Sequence, residues 1–165
     1  MKPMGQWTDY ESRIEADIDR IITVLDGLQT RCTFFVLGWI AEHHPTVVRS
    51  LVAAGHEVAT HGYGHVLLDQ QTRGEFAADL DRSIAAIEQA GSKVEGYRAP
   101  GFVSQTWLFE ELTARGLKYD ASVLPGRWFK GALPSASRAP YQLPSGLWEF
   151  PYSTVKCLGA ELPIF

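Results

Sequence analysis

Apolar residues along this chain fall into two alternating rhythms. From Tyr10 to Leu28 they recur at Ile14, Ile18, Ile21, Ile22 and Leu25, the spacing of one helix face. Cys32 to Leu37 is a short unbroken apolar run rich in β-formers, the mark of a strand buried on both faces. Ile40 to Ala54 returns to helical spacing, with a bend expected at Pro45 and a stop at Gly55. Glu57 to Thr60 predicts a second strand. Thr72 to Ala90 predicts a long helix, with Thr72 as N-cap, Glu75 as its capping-box partner and Gly91 just past the end. Val94 to Tyr97 predicts a third strand, Thr106 to Arg115 a helix ended by Gly116, and Leu117 to Tyr119 a fourth strand. The stretch from Pro125 to Gly146 is rich in Pro, Gly and Ser and reads as a long loop before a fifth strand, Leu147 to Phe150.

This alternation implies an α/β fold of parallel strands joined by right-handed crossovers, either a (β/α) barrel or an open doubly wound sheet. A length of 165 residues suits a single domain with a real core. No Gly-x-Gly-x-x-Gly or Walker-type loop follows a strand, which argues against nucleotide binding. In a parallel sheet the strand ends share one face. His61 follows the second strand, Arg98-Ala-Pro-Gly-Phe102 the third, Asp120 the fourth and Pro151-Tyr152-Ser153 the fifth. A metal-binding pair, a cation and a carboxylate are therefore expected to converge.

Each of these residues also has a plain structural reading. His61 and His65 are four apart across Gly62-Tyr63-Gly64, which lets both rings aim at one ion; the same spacing also arises by chance. Tyr63 either walls a pocket or packs. Arg98 is either an ion-pair arginine or a catalytic one, and Asp120 can simply cap a turn. His43 and His44 are expected to be exposed and His56 structural. Trp39, Trp107, Trp128 and Trp148 either stack on sugar faces or fill core.

Composition narrows the partners. The net charge is −4 with no basic tract, which excludes nucleic acid as an expected partner. No apolar run is long enough for a bilayer, and the first residues lack a signal-peptide core, so a cytoplasmic location is the expectation. Cys32 and Cys157 read as two reduced thiols.

Three segments taken together, Thr33-Phe-Phe-Val-Leu-Gly38, Gly55-His-Glu-Val-Ala-Thr-His-Gly-Tyr-Gly-His65 and Gly96-Tyr-Arg-Ala-Pro100, resemble the polysaccharide deacetylase (NodB-like) family. The likeness is greatest to the branch associated with exosortase and exopolysaccharide gene clusters, and Tyr119-Asp-Ala-Ser122 and Glu149-Phe-Pro-Tyr-Ser-Thr154 extend it. The resemblance implies a partial or distorted (β/α) barrel and a divalent metal, commonly zinc, with His61 and His65 as two of its ligands. It implies a hydrolase that removes the N-acetyl group of N-acetylated polysaccharides or oligosaccharides. Arg98 matches the arginine that orients a catalytic aspartate, with Tyr63, Pro100 and Phe102 as candidates for substrate contact.

The chain departs from the family pattern at both ends. The acidic first-strand motif that supplies an aspartate base and an aspartate ligand has no counterpart, since Gln6-Trp-Thr-Asp-Tyr10 around Asp9 does not match it. The late Leu-x-His motif would lie beyond Phe165. The expectation is a fold lacking its N-terminal strand and C-terminal part, with impaired activity and open strand edges that invite self-association. Gly62 stands where Ser or Thr is usual after the first histidine, which keeps an allantoinase-like amidohydrolase as an alternative. A non-catalytic glycan-binding remnant is a third reading.

Overall fold

A computed structural model of the chain describes residues 7–8, 11–102, 105–126, 137–157 and 160–163. Its elements alternate as the apolar pattern requires. Helix α1 (Ile14–Gly27) leads to strand β1 (Thr33–Val36), then helices α2 (Gly38–His43) and α3 (Pro45–Ala53), strand β2 (Glu57–Thr60) and helix α4 (Arg73–Gln89). Strand β3 (Gly96–Tyr97), helix α5 (Leu108–Ala114) and strand β4 (Tyr119–Asp120) follow. Strands β5 (Tyr141–Gln142) and β6 (Trp148–Glu149) complete a six-stranded sheet, and β7 (Thr154–Cys157) pairs with β8 (Ala160–Pro163) as a separate antiparallel hairpin.

The sheet order is β1-β2-β3-β4-β6-β5, parallel from β1 through β6, with β5 antiparallel on one edge. This is a partial (β/α) barrel. Two features depart from the sequence expectation. Pro45 does not bend one helix but begins a second, since it occupies the first helical position, where its missing N–H is not needed. Strand β5 and the β7–β8 hairpin arise where no strand is expected, because two- and four-residue antiparallel pairs leave little periodic signal.

One face of the sheet is covered by helices. Val36 and Val58 pack there with Val48 and Leu51 of α3, Phe76, Leu80 and Ile87 of α4 and Leu108 and Leu112 of α5. Helix α4 starts on the expected capping box, in which the Thr72 hydroxyl accepts from Glu75 N and the Glu75 carboxylate accepts from Thr72 N. Ile14, Ile18 and Ile22 of α1 lie against the core, whereas Ile21 is 43% exposed. Trp39 and Trp107 pack into the protein as the core reading of the tryptophans expected, Trp148 is 42% exposed, and Trp128 lies outside the described residues.

Register places Thr60, Tyr97, Asp120 and Glu149 in one row across four parallel strands. The ladder runs one residue further: His61 N bonds to Val36 O, Arg98 N to Thr60 O, Ala121 N to Tyr97 O and Phe150 N to Asp120 O. Because strand side chains alternate, the two rows face opposite ways. The first faces the helices: Thr60 meets Ser83 of α4 at 2.7 Å, and the Tyr97 ring packs on Phe76 of α4. The second faces the uncovered side, where Phe35, Arg98, Tyr119 and Phe150 gather.

On that uncovered side the Tyr119 ring lies directly across Gly96, and a Cβ at Gly96 would fall 1.9 Å from Tyr119 Cζ. Gly96→Ala is therefore expected to displace the ring and its hydroxyl bond to Glu57, costing about 1–3 kcal/mol in urea unfolding; a loss below a few tenths would show that the ring moves aside freely.

Candidate functional site

The segment His61–His65 is fixed by three neighbouring elements before its side chains do anything. Gly62 N donates to the Thr60 hydroxyl (3.2 Å), the Thr60 hydroxyl meets Ser83 Oγ (2.7 Å), and Ser83 Oγ donates to Gly62 O (3.0 Å). The first amides of α2, Gly38 N and Trp39 N, donate to Gly62 O and Tyr63 O. From α4 the Asp79 carboxylate accepts Tyr63 N at 2.7 Å and Gly64 N at 3.4 Å. Burial raises the Asp79 pKa, and these two amides act against that rise.

Two residues of this turn adopt left-handed backbone, Gly62 at φ 74° and His65 at φ 57°. At Gly62 the conformation suits glycine, and a Cβ would also meet Asp79 Oδ2 at 2.9 Å, so the Ser or Thr usual at this place in the family would be strained in this turn. His65 carries the strain of an L-residue in the left-handed region, a cost that a well-anchored turn can hold in place.

The turn brings the two imidazoles together, with ring centroids 5.0 Å apart at 72°. His61 Nδ1 donates to Arg98 O at 2.7 Å, which fixes the tautomer and leaves Nε2 with a free lone pair. Burial, followed by the charges of His65 and Arg98, lowers the His61 pKa to about 4 against the opposing bond to Arg98 O, so the ring stays neutral near pH 7. A neutral ring with one nitrogen tied to a carbonyl and the other free is the form that binds a divalent cation. Two imidazoles fit such an ion as half of a tetrahedral set. Among the described residues no group of three His, Cys, Asp or Glu gathers to hold one.

Arg98 is half-buried beside them. Its Nε donates to Ala121 O at 3.0 Å, and its guanidinium lies 4.2 Å from the Phe35 ring centroid and 5.0 Å from that of Tyr152. It lines an open cleft of about 430 Å³ with Thr33, Phe35, Glu57, Tyr119, Ala121 and Phe150. Within the cleft Glu57 accepts from the Thr33 hydroxyl at 2.5 Å and the Tyr119 hydroxyl at 2.8 Å.

Other expected site residues fall differently. Tyr63 is 3% exposed; its hydroxyl donates to Glu42 and its ring lies under Arg82 at 3.8 Å, so it packs rather than walling the cleft. Pro100 is buried, at the start of a 3-10 turn spanning Pro100–Phe102, and the Phe102 side chain lies outside what the structure describes. Asp120 ends β4 rather than following it, and its side chain points to the helix-covered face, away from Arg98. There it meets a residue that sequence reasoning did not single out, Glu149, its in-register neighbour on β6. Both are fully buried. Burial, then the charge of Asp120, pushes the Glu149 carboxyl up to about 10. Its sequence signals were a glutamate inside an apolar strand, Leu-Trp-Glu-Phe, and its place at the start of the Glu149–Thr154 segment that resembles the family.

Comparison with known proteins agrees with this architecture. Residues 8–119 match the family model described as polysaccharide deacetylase. A peptidoglycan deacetylase-like protein of Gibberella zeae is 30% identical over 125 residues, covering 70% of this chain and 36% of the relative. A chitooligosaccharide deacetylase of Sinorhizobium fredii is 34% identical over 111 residues, covering 66% and 52%. Among solved structures, a Mycobacterium smegmatis protein classed as a polysaccharide deacetylase superposes with a TM-score of 0.71 at 34% identity, covering 82% of this chain and 45% of that one. A family 4 carbohydrate esterase of Streptomyces lividans in complex with acetate gives 0.61 at 25% identity, covering 70% and 59%. The chain thus spans from about a third to about half of the length of these two curated relatives.

Two outcomes are expected. Asp79→Ala leaves two turn amides without an acceptor and should cost about 1–3 kcal/mol in denaturant unfolding, with broadened His61 and His65 ring signals in NMR. In the wild type, His61 should remain the Nδ1–H tautomer from pH 8 down to about 5. Its depressed pKa means that the His61 contribution to stability is complete above pH 6.5 and is lost as the pH drops toward 4; an imidazole protonating near 6.5 in a nitrogen-15 titration contradicts this.

Proposed function

Because the chain belongs to the polysaccharide deacetylase family, we propose that this protein hydrolyses the N-acetyl groups of N-acetylated glycans with the help of a divalent cation held by His61 and His65. The observation that carries the reading is the bond from His61 Nδ1 to Arg98 O, which presents Nε2 at the strand ends beside His65. When bound, such a cation, zinc being the ordinary choice for imidazole ligands, supplies Lewis acidity toward an acetamide carbonyl.

The rest of the work falls to the chain. Arg98 is held by Ala121 O and stacked on Phe35, so its guanidinium is fixed in direction and suited to orienting a carboxylate. Phe35, Tyr119 and Phe150 give the cleft apolar walls against which a sugar face can lie. A glycan is bound by such walls and by few charges, in keeping with the chain's modest net charge. The general base and the further ligand that the reaction requires are carboxylates the family resemblance places on an acidic motif; no described residue is assigned those roles. No helix among the described residues is long and apolar enough to cross a membrane.

Zinc titrated into the protein in a calorimeter should give saturable heat that His61→Ala or His65→Ala abolishes. Acetate release from an acetylated chitooligosaccharide should fall in parallel, by at least about 100-fold. Equal heat in the wild type and both variants would sink the metal assignment. Turnover of a cyclic amide with none of the chitooligosaccharide would favour the allantoinase-like reading instead.

A further inference from the structure

The buried acids Asp120 and Glu149 sit on the opposite side of the sheet from the cleft and have no part in the chemistry above. Each has no exposed surface, and the two are in-register neighbours on β4 and β6. Asp120 Oδ1 accepts from Ser122 Oγ at 2.6 Å and its Oδ2 from Ser122 N at 3.2 Å. Glu149 Oε1 accepts from Val123 N at 3.1 Å, while Oε2 is buried and has no donor from any other group. No lysine, arginine or histidine among the described residues pairs with either carboxyl. Two adjacent anions without a counter-ion in a dry site are untenable.

We propose that Asp120 and Glu149 share a single proton, carried on Glu149, and that the pair is a positioning device for the Arg98–Ala99 turn. A proton on Glu149 removes one of the two charges and lets its orphaned oxygen donate toward its in-register neighbour, the Asp120 carboxylate. Asp120, left as the anion, fixes the Ser122 hydroxyl as a donor. Ser122 Oγ then turns its lone pair to Ala99 N, which donates to it at 2.8 Å. The chain of bonds runs from Glu149 to Asp120, and from Ala99 through Ser122 to Asp120, tying the ends of β3, β4 and β6 together. Arg98, the residue before Ala99, carries the carbonyl that holds His61.

The groups facing the pair are consistent with this. Tyr97 from β3 and Tyr141 from β5 are neutral phenols whose pKa values burial raises further. Arg98 acts on Glu149 only through its field. The charged residues of α5, which packs on β4, are engaged elsewhere: Glu110 and Glu111 with Arg73, and Arg115 with Asp81 and Glu111. Burial raises Asp120, opposed by a proton offered from Glu149 and by its bonds from Ser122, while burial and the charge of Asp120 drive Glu149 up to about 10. The importance of the turn for catalysis rests on the deacetylase reading; the shared proton does not.

The test therefore reads protonation and not activity. Infrared difference spectra of the wild-type chain and Glu149→Gln should show a protonated carboxyl at pH 7–8 that is missing in the variant. Denaturant unfolding supplies a second readout. The folded state keeps the Glu149 proton that the unfolded chain releases, so the pair's contribution to stability should fall as the pH rises from about 5 toward 10, read as the difference between the wild type and Glu149→Gln. Glu149→Gln, which keeps an acceptor for Val123 N and a donor for Asp120, should lose that slope. In Glu149→Leu the Ala99 and Val123 amides should exchange at least about tenfold faster, with Glu149→Gln restoring them. Two ionised carboxylates at pH 7 in the wild type overturn the proposal, as does a protonated signal that appears only after chelation, which would mean a bound cation. Unchanged exchange of Ala99 in a folded Glu149→Leu variant removes the positioning role. If Glu149→Leu does not fold, the wild-type and Glu149→Gln spectra still decide the proton.

Discussion

The site depends on a parallel hydrogen-bond ladder that does not stop where the strands do. His61, Arg98, Ala121 and Phe150 each donate backward to the neighbouring strand, one residue past the last formal pair. That extra rung places four side chains side by side on the uncovered face, with backbone rigidity behind each. A loop hung on frayed strand ends would not hold two imidazoles within 5.0 Å of each other. Here the turn from His61 to His65 is bound on its carbonyls by α2 and Ser83 and on its amides by Asp79. The strained backbone of His65 persists because so much of the turn around it is tied down.

The two faces of the sheet divide the labour. The helix-covered face holds the apolar core and, at its rim, the buried acids Asp120 and Glu149. The uncovered face holds the cleft, in which Arg98 lies between Phe35 and Tyr152. Alternation along each strand makes this separation strict, since adjacent residues cannot face the same way. Communication between the faces runs through main chain. Ala99 N reaches the acid network while Arg98 O reaches the histidine, so the single Arg98–Ala99 peptide unit joins what the side chains keep apart.

Much of this was legible in the order of residues. The α/β alternation, the capping box at Thr72 and Glu75, and the approach of the His61 and His65 rings follow from local periodicity and spacing, which short-range geometry governs. The convergence of His61 and Arg98 followed from the single premise that the strands are parallel. Less legible were Tyr63 and Pro100, residues expected to touch substrate that instead lie buried. Tyr63 turns under Arg82 because Gly62 and His65 bend the chain the left-handed way, a conformation that sequence neighbours do not announce. The short β5 and the β7–β8 hairpin escaped because two to four residues carry no readable period.

The sequence by itself determined the family, the element order and the close spacing of His61 and His65, because those rest on residue type and on distances of a few positions. The tertiary structure alone decided which way each group faces. Asp120 appeared from its position to belong beside Arg98. A one-residue difference, ending β4 instead of following it, sends its carboxyl through to the opposite face and into contact with Glu149. That pairing joins residues 29 positions apart, and only the register of β4 against β6 brings them together. Register is set by the whole sheet at once, which is why no local reading of either segment could foresee it.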